Sequence, residues 1–242
     1  MMLRLLEPVV KRVAQHIATI SRKLRLNVLA PSPLVGPPDT LIILGDGEPD
    51  DYVMALVAWA RDGEKTAFIT RPRETGITNA IKLLKQVYLP KALGLRRVIV
   101  VIDRHRRSLS DIANEALGAL RQHGFEILRQ SESAQGWLKE FTCTWRPEAQ
   151  ITILVLVNGM GKDEIYAEDT IEVHLLEAAK HVLGQEAMES LLREAKDECG
   201  RADPERAWHS LSRKDRWEVF NALRKRRDLL KSVFKQHDHA MR

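Results

Sequence analysis

The chain has 242 residues, 44% of them hydrophobic and 29% charged, with a formal net charge of +5. That balance supports a globular core and excludes a disordered chain, and no apolar run approaches the roughly 18–20 residues that cross a bilayer. Its two cysteines, Cys143 and Cys199, stand far apart without zinc-like spacing. They predict a reducing, cytoplasmic setting and exclude a disulfide framework or a cysteine metal cage.

At the start, Leu6, Val9, Val10, Val13, Ile17, Ile20 and Leu24 recur at helical spacing. They predict an amphipathic helix over 3–26, used for core packing or a homo-oligomer contact. Arg4, Glu7, Lys11 and Arg12 break the segment too soon for a signal peptide. The prolines that follow fix φ and exclude helix, so 30–39 reads as a stiff linker. From Thr40 strands are predicted at 40–44, 67–70, 98–102, 125–128 and 151–157. Helices are predicted between them at 50–61, 78–88 and 109–122, and after them at 168–183. The stretch around Trp137 and Trp145 reads as an irregular insertion with aromatic anchors. Beyond Gly184 the chain reads as helical, with breaks near Gly200 and Pro204.

Continuous apolar runs such as Val98-Ile-Val-Val-Ile102 fit strands buried on both faces. The alternation therefore predicts an α/β fold with a mostly parallel, Rossmann-like sheet flanked by helices and joined by right-handed crossovers. Four segments result: an N-terminal amphipathic helix (1–29), a Pro-rich linker (30–39), the α/β domain (40–184) and a basic helical extension (185–242).

In open α/β sheets ligands bind beyond the carboxyl ends of the strands. Two apolar runs end there in acids. One is followed by Gly45-Asp46-Gly47-Glu48-Pro49-Asp50-Asp51 and the other by Asp103-Arg104-His105-Arg106-Arg107. A third acidic group, Glu168-Asp169-Thr170-Ile171-Glu172, precedes a predicted helix, where Asp169 and Glu172 could share a face. Such carboxylates suit a hard divalent cation, and the neighbouring arginines suit phosphates. Helix capping accounts equally for Asp50, Asp51, Glu168 and Asp169. Arg224-Lys225-Arg226-Arg227 is a second basic tract, either a nucleic-acid contact or a solvated helix face. The glycine turns at 45–47 and 158–161 lack the continuation of a P-loop or dinucleotide fingerprint, and no Gly-x-Ser-x-Gly elbow occurs.

In element order and in these acids the chain resembles the Toprim domain of topoisomerases, primases and related nucleases, including small Toprim-like proteins of archaea and bacteria. The resemblance covers about residues 40–183. That family carries a Glu-Gly after its first strand and an Asp-x-Asp after a later one. Here Asp46-Gly47 stands for the first motif, and Asp103-Arg104-His105 for the second, with His105 in place of the second aspartate. The segment Glu168-Asp-Thr-Ile-Glu172-Val-His-Leu-Leu resembles the family's acidic last helix, with Glu172 kept. The resemblance implies metal-dependent phosphoryl transfer on nucleic acid, with phosphodiester hydrolysis as the reaction. Mg2+ or Mn2+ would be held by Asp46, Asp103, His105 and Glu172; Asp103, Asp46 and Glu48 would be catalytic. Histidine at 105 shifts the preference toward manganese or zinc. Arg104, Arg106 and Arg107 would hold phosphates. The alternatives are a non-catalytic Toprim-like module that binds nucleic acid or a partner, and a nucleotide-binding regulator.

Overall fold

A computed structural model of the chain describes residues 1–5, 11–29, 39–45, 48–61, 66–91, 94–133, 135–147 and 149–242. The elements in chain order are β1 (Met2–Leu5), α1 (Lys11–Leu24), β2 (Thr40–Ile43), α2 (Glu48–Ala60), β3 (Thr66–Thr70) and α3 (Ile77–Leu83). α3 runs on through a π-helical turn (Leu84–Tyr88) into α4 (Leu89–Lys91). Then come β4 (Arg97–Asp103), α5 (Leu109–Gln122), β5 (Glu126–Glu132), β6 (Leu138–Arg146), β7 (Ala149–Asn158) and α6 (Ile171–Leu183). Five helices complete the chain: α7 (Gln185–Glu194), α8 (Pro204–Ser210), α9 (Arg213–Lys225), α10 (Arg227–Val233) and α11 (Lys235–Ala240).

The strands form one seven-stranded sheet in the order β1-β3-β2-β4-β7-β6-β5. The first five are parallel; β6 and β5 are antiparallel. The predicted mostly parallel α/β sheet is thus present. Its central strands are the predicted apolar runs, whose β-branched side chains suit a pleated surface covered on both sides. Alternation sends Ile99, Val101, Leu154 and Leu156 into a core shared with α1, α2 and α6. Val98, Val100, Ile153 and Val155 enter a second core with α3 and α5.

Two predicted elements differ. The N-terminal helix begins at Lys11, and residues 2–5 instead pair in parallel with β3. Four residues are too few for periodicity to decide between helix and strand, so sheet pairing settles the conformation. In α1 the expected stripe of Val13, Ile17, Ile20 and Leu24 is buried; Leu6, Val9 and Val10 lie outside the described residues. Around Trp137 and Trp145 the chain forms β6 rather than an insertion, with Phe141 and Cys143 buried on alternate positions. Intervening threonines and charges hid that period of two. The helices of 185–242 pack into the core that holds Ile99 and Leu156, through Met188, Trp208, Phe220, Leu230 and Phe234. The linker residues 30–38 lie outside the described residues.

After β2 the chain turns to α2 on one face, and after the neighbouring β4 it turns to α5 on the other. Adjacent strands whose connections diverge leave a crevice at their carboxyl ends, the usual ligand position in such sheets. Gly45 is needed here, since a Cβ would lie 2.3 Å from the Val101 carbonyl oxygen of β4.

Candidate functional site

The register of the parallel strands sets Asp103, the last residue of β4, beside Asn158, the last of β7. Both follow the alternation that faces α2 and α6. Asp50, in the first turn of α2, reaches the same point. Asn158 Nδ2 donates to Asp50 Oδ1 at 3.0 Å and to Asp103 Oδ1 at 2.8 Å. The Ile171 backbone N–H donates to Asp103 Oδ1 at 3.1 Å, so Asp103 caps α6 from across the crevice. The cluster is enclosed: Asp50 is 1% exposed, Asn158 0%, Asp103 and Glu172 7%.

Enclosure and like charge act together on Asp50. Burial, and then the charges of Asp103 and Glu172, hold its carboxyl well above the usual carboxylate range, while Arg71 acts in the opposite sense. Burial likewise raises Glu172. On the sheet-face side, His237 Nε2 donates to Asn158 Oδ1 at 2.9 Å, fixing the amide so that its NH2 group faces the two carboxylates. His174 accepts from the Gly159 N–H at 3.1 Å and donates from Nδ1 to the Val233 carbonyl at 2.8 Å. Burial pushes His174 down to about 4 and keeps His237 well below its ordinary value.

The acid next to Asp50 has a different task. Asp51 accepts from Arg71 at 2.6 Å and lies 2.6 Å from His16 Nδ1, tying α2 to α1 and to the end of β3. Asp169 and Glu168 are not aligned with Glu172 on a helix face, because α6 begins only at Ile171. Asp169 Oδ1 accepts from the Met160 N–H at 3.0 Å, and its backbone exchanges two hydrogen bonds with His105. Gly159 permits this close approach, with φ +132° and no room for a Cβ against Asp169.

Asp103 and Glu172 therefore lie in one buried cluster at the carboxyl ends of β4 and β7, with Asp50 and Asn158. Asp46 is outside the described residues; Glu48 opens α2, and its side chain is likewise not described. His105 takes φ +51° and pairs with Glu168 at 3.0 Å. Arg104 binds Asp163 through both terminal nitrogens and also Asp169. Arg107 donates to Glu115 and to the Asp103 carbonyl. Arg106 contacts Glu168 at 3.2 Å with its side chain 66% exposed. Arg224 and Arg227 lie over Trp59, at 6.0 and 5.0 Å from its ring centroid, and Arg226 faces Asp228 at 3.9 Å beside the exposed Lys225. Trp59 sits at the far end of α2, roughly 14 Å along the axis from Asp50.

Asn158 was absent from the sequence-based site, and Asp50 stood there only in the acidic group of 46–51, with helix capping as its alternative. Asn158 carried the same signal as Asp103, a polar residue closing an apolar run, but without a charge to mark it. Among the described residues no three carboxylates, histidines or cysteines stand together as a metal cluster. The donors present are oxygens, and a small hard cation commonly takes one or two carboxylates and completes its shell with water and phosphate. The donor chemistry of Asp50 and Asp103 fits such an ion. Comparison with family models, curated proteins and solved structures finds no match to this chain.

Proposed function

We propose that the crevice beyond β2, β4 and β7 serves metal-dependent phosphoryl transfer on nucleic acid, with hydrolysis of a phosphodiester as the reaction. One observation carries this reading: Asp50 and Asp103 are buried together at the topological switch point with Glu172 close enough to raise Asp50 further. Such crowding of negative charge is costly in the absence of a counter-ion and is offset by a divalent cation. Asp103 and Asp50 would hold the ion, with Glu172 beside them; the sequence-based ligands Asp46 and Glu48 lie outside what the structure describes of side chains. When bound, Mg2+ or Mn2+ would polarise a phosphoryl oxygen and acidify a water. Asn158 orients both carboxylates, and the Ile171 N–H at the N-terminus of α6 also holds Asp103. Arg106, the most exposed of Arg104, Arg106 and Arg107, would meet backbone phosphate; Arg104 and Arg107 shape the loop that presents it. Cys143 and Cys199 are free thiols, which supports a cytoplasmic setting.

The test is cleavage of labelled single- and double-stranded DNA and RNA with Mg2+, Mn2+ or EDTA, beside Asp103→Ala and Asp103→Asn. Asparagine keeps an acceptor for Ile171 and so guards against simple unfolding. Metal-dependent cutting that disappears in both variants is the expected result; cutting that persists in Asp103→Asn would remove Asp103 from the centre. A second reading, a non-catalytic nucleic-acid module, draws on His105, which stands at the second aspartate position of the resembled motif and pairs with Glu168. It requires salt-sensitive binding without cleavage under any metal.

A further inference from the structure

Beside the crevice lies a pocket of about 330 Å³, framed by α1, the start of α2, α8 and α9. Its walls are aromatic: Tyr52, Trp208, Trp217 and Phe220. Tyr52 and Trp217 have ring centroids 5.6 Å apart with planes inclined at 44°, and Tyr52 meets Phe220 nearly edge-on at 5.3 Å. Trp208 and Phe220 likewise meet edge-on at 5.8 Å. Rings locked against one another in this way make a preformed wall rather than one that must be ordered by its occupant.

The rim has the opposite chemistry. Arg213 and Arg216 line the opening, and neither has a carboxylate partner among the described residues. Arg216 instead donates to His209 Nδ1 at 3.3 Å. Lys23 Nζ lies 4.1 Å from the Trp217 ring centroid. Two arginines thus rim a set of π-faces without a carboxylate partner among the described residues, and Lys23 lies over Trp217 outside the pocket lining. Tyr52, Trp208 and Phe220 belong to the core on this sheet face, and Trp217 packs against it from the pocket side. A planar base attached to a phosphate suits aromatic walls rimmed by arginines: the ring stacks on the wall, and guanidinium groups take the phosphate oxygens. A volume near the lower end of ligand pockets, which span roughly 300–1,000 Å³, limits the occupant to a small ligand.

The pocket and the carboxylate cluster share the first turn of α2. Pro49 lines the pocket and precedes Asp50 in α2, and Glu172 lies within electrostatic reach of His209 on α8. We infer that the pocket between α2, α8 and α9 binds one nucleobase with its phosphate and seats that nucleotide next to the crevice. This deepens the proposed function by naming how its substrate is held, and its catalytic meaning rests on that reading; the binding itself requires no metal. The same chemistry is offered by a free nucleotide and by one residue of a single strand.

The experiment titrates the full chain in EDTA with nucleoside 5′-monophosphates and with short oligothymidylate, read by calorimetry and tryptophan fluorescence. Two variants accompany it. Trp217→Leu keeps apolar bulk and removes a π-face. Arg213→Ala combined with Arg216→Ala alters only the rim and leaves the walls intact; circular dichroism confirms the fold of each. Trp217→Leu is expected to weaken binding about 5- to 100-fold. The arginine pair should lower the slope of log affinity against log salt by about 1. Monophosphate binding that falls in both variants identifies a free nucleotide as sufficient. Binding of oligothymidylate alone, weakened in both, identifies a strand residue. No binding by the parent chain, or unchanged binding in the arginine pair, overturns the inference. Metal-dependent cutting with no nucleotide binding in EDTA would remove the pocket and leave the centre; nucleotide binding with no cutting would do the reverse.

Discussion

Asn158 holds together two carboxylates that would otherwise meet each other unbuffered. Replacing it with alanine removes one hydrogen-bond donor from each of Asp50 and Asp103, so a loss of roughly 1–3 kcal/mol is expected in chemical denaturation. A denaturation midpoint equal to that of the parent chain would show that water replaces the amide at no cost. His174 gives a pH prediction. Its folded pKa is depressed to about 4 by burial, against an ordinary value of 6.5. Between those values the unfolded chain binds a proton that the folded chain refuses. The stabilisation is therefore complete above pH 6.5 and is lost as pH falls toward 4, by up to about 3 kcal/mol. His174→Gln keeps an acceptor for Gly159 and a donor for Val233, and should flatten that part of the stability profile. A profile parallel to the parent's would assign the acid sensitivity to other groups. At this scale the sequence was half legible. Asp103 declared itself as a charge at the end of an apolar run, whereas Asp50 resembled a cap and Asn158 resembled part of a turn.

Among the elements, α10 and α11 carry more than their exposed sequence implies. Phe234, fully buried at the α10–α11 junction, stacks on His174 at 5.3 Å, and His237 three residues later fixes Asn158. Phe234→Ala should destabilise the fold by about 3–5 kcal/mol and loosen the carboxylate pair with it. Thermal melting reads the first effect, and protection of the His174 and His237 ring protons by NMR reads the second. Long elements with clear periods, α5 above all, match their sequence-based limits. β1 and β6 did not announce themselves. A four-residue strand has no period to read, and β6 hides alternate apolar positions among threonine, lysine and glutamate. Their conformation comes from pairing with distant strands, which local propensity does not encode.

The whole molecule joins its N-terminal strand, its sheet and its C-terminal helices through one continuous core on one sheet face, with a second core on the other. Among the described residues no helix is long and apolar enough to cross a membrane. The parallel α/β architecture was readable because alternation of apolar runs and amphipathic segments is a property of the whole chain. The packing of 185–242 onto the sheet was not, since a basic amphipathic helix reads alike on a surface tail and over a core. The two thiols provide a check on this architecture. Cys143 is buried, and desolvation raises it to about 11, whereas Cys199 is exposed. Iodoacetamide at pH 8 should add one group to the native chain and two after denaturation, counted by mass spectrometry. Two additions to the native chain would show β6 opening on that timescale.

The antiparallel flank of the sheet also sets a sequence of events in time. Strands β5, β6 and β7 are successive hairpin partners, closed by short connections, while β1 must find β3 some sixty residues away and β4 must find β7 across the whole of that flank. Loop-closure entropy favours the short connections, so the β5–β6–β7 meander is expected to gather first and offer β7 as the template on which β4 docks. Pulse-labelling hydrogen exchange during refolding would then show amides of β6 protected before those of β1. The carboxylate pair, drawn from α2 and β4 and bridged by β7, would be assembled only after that docking.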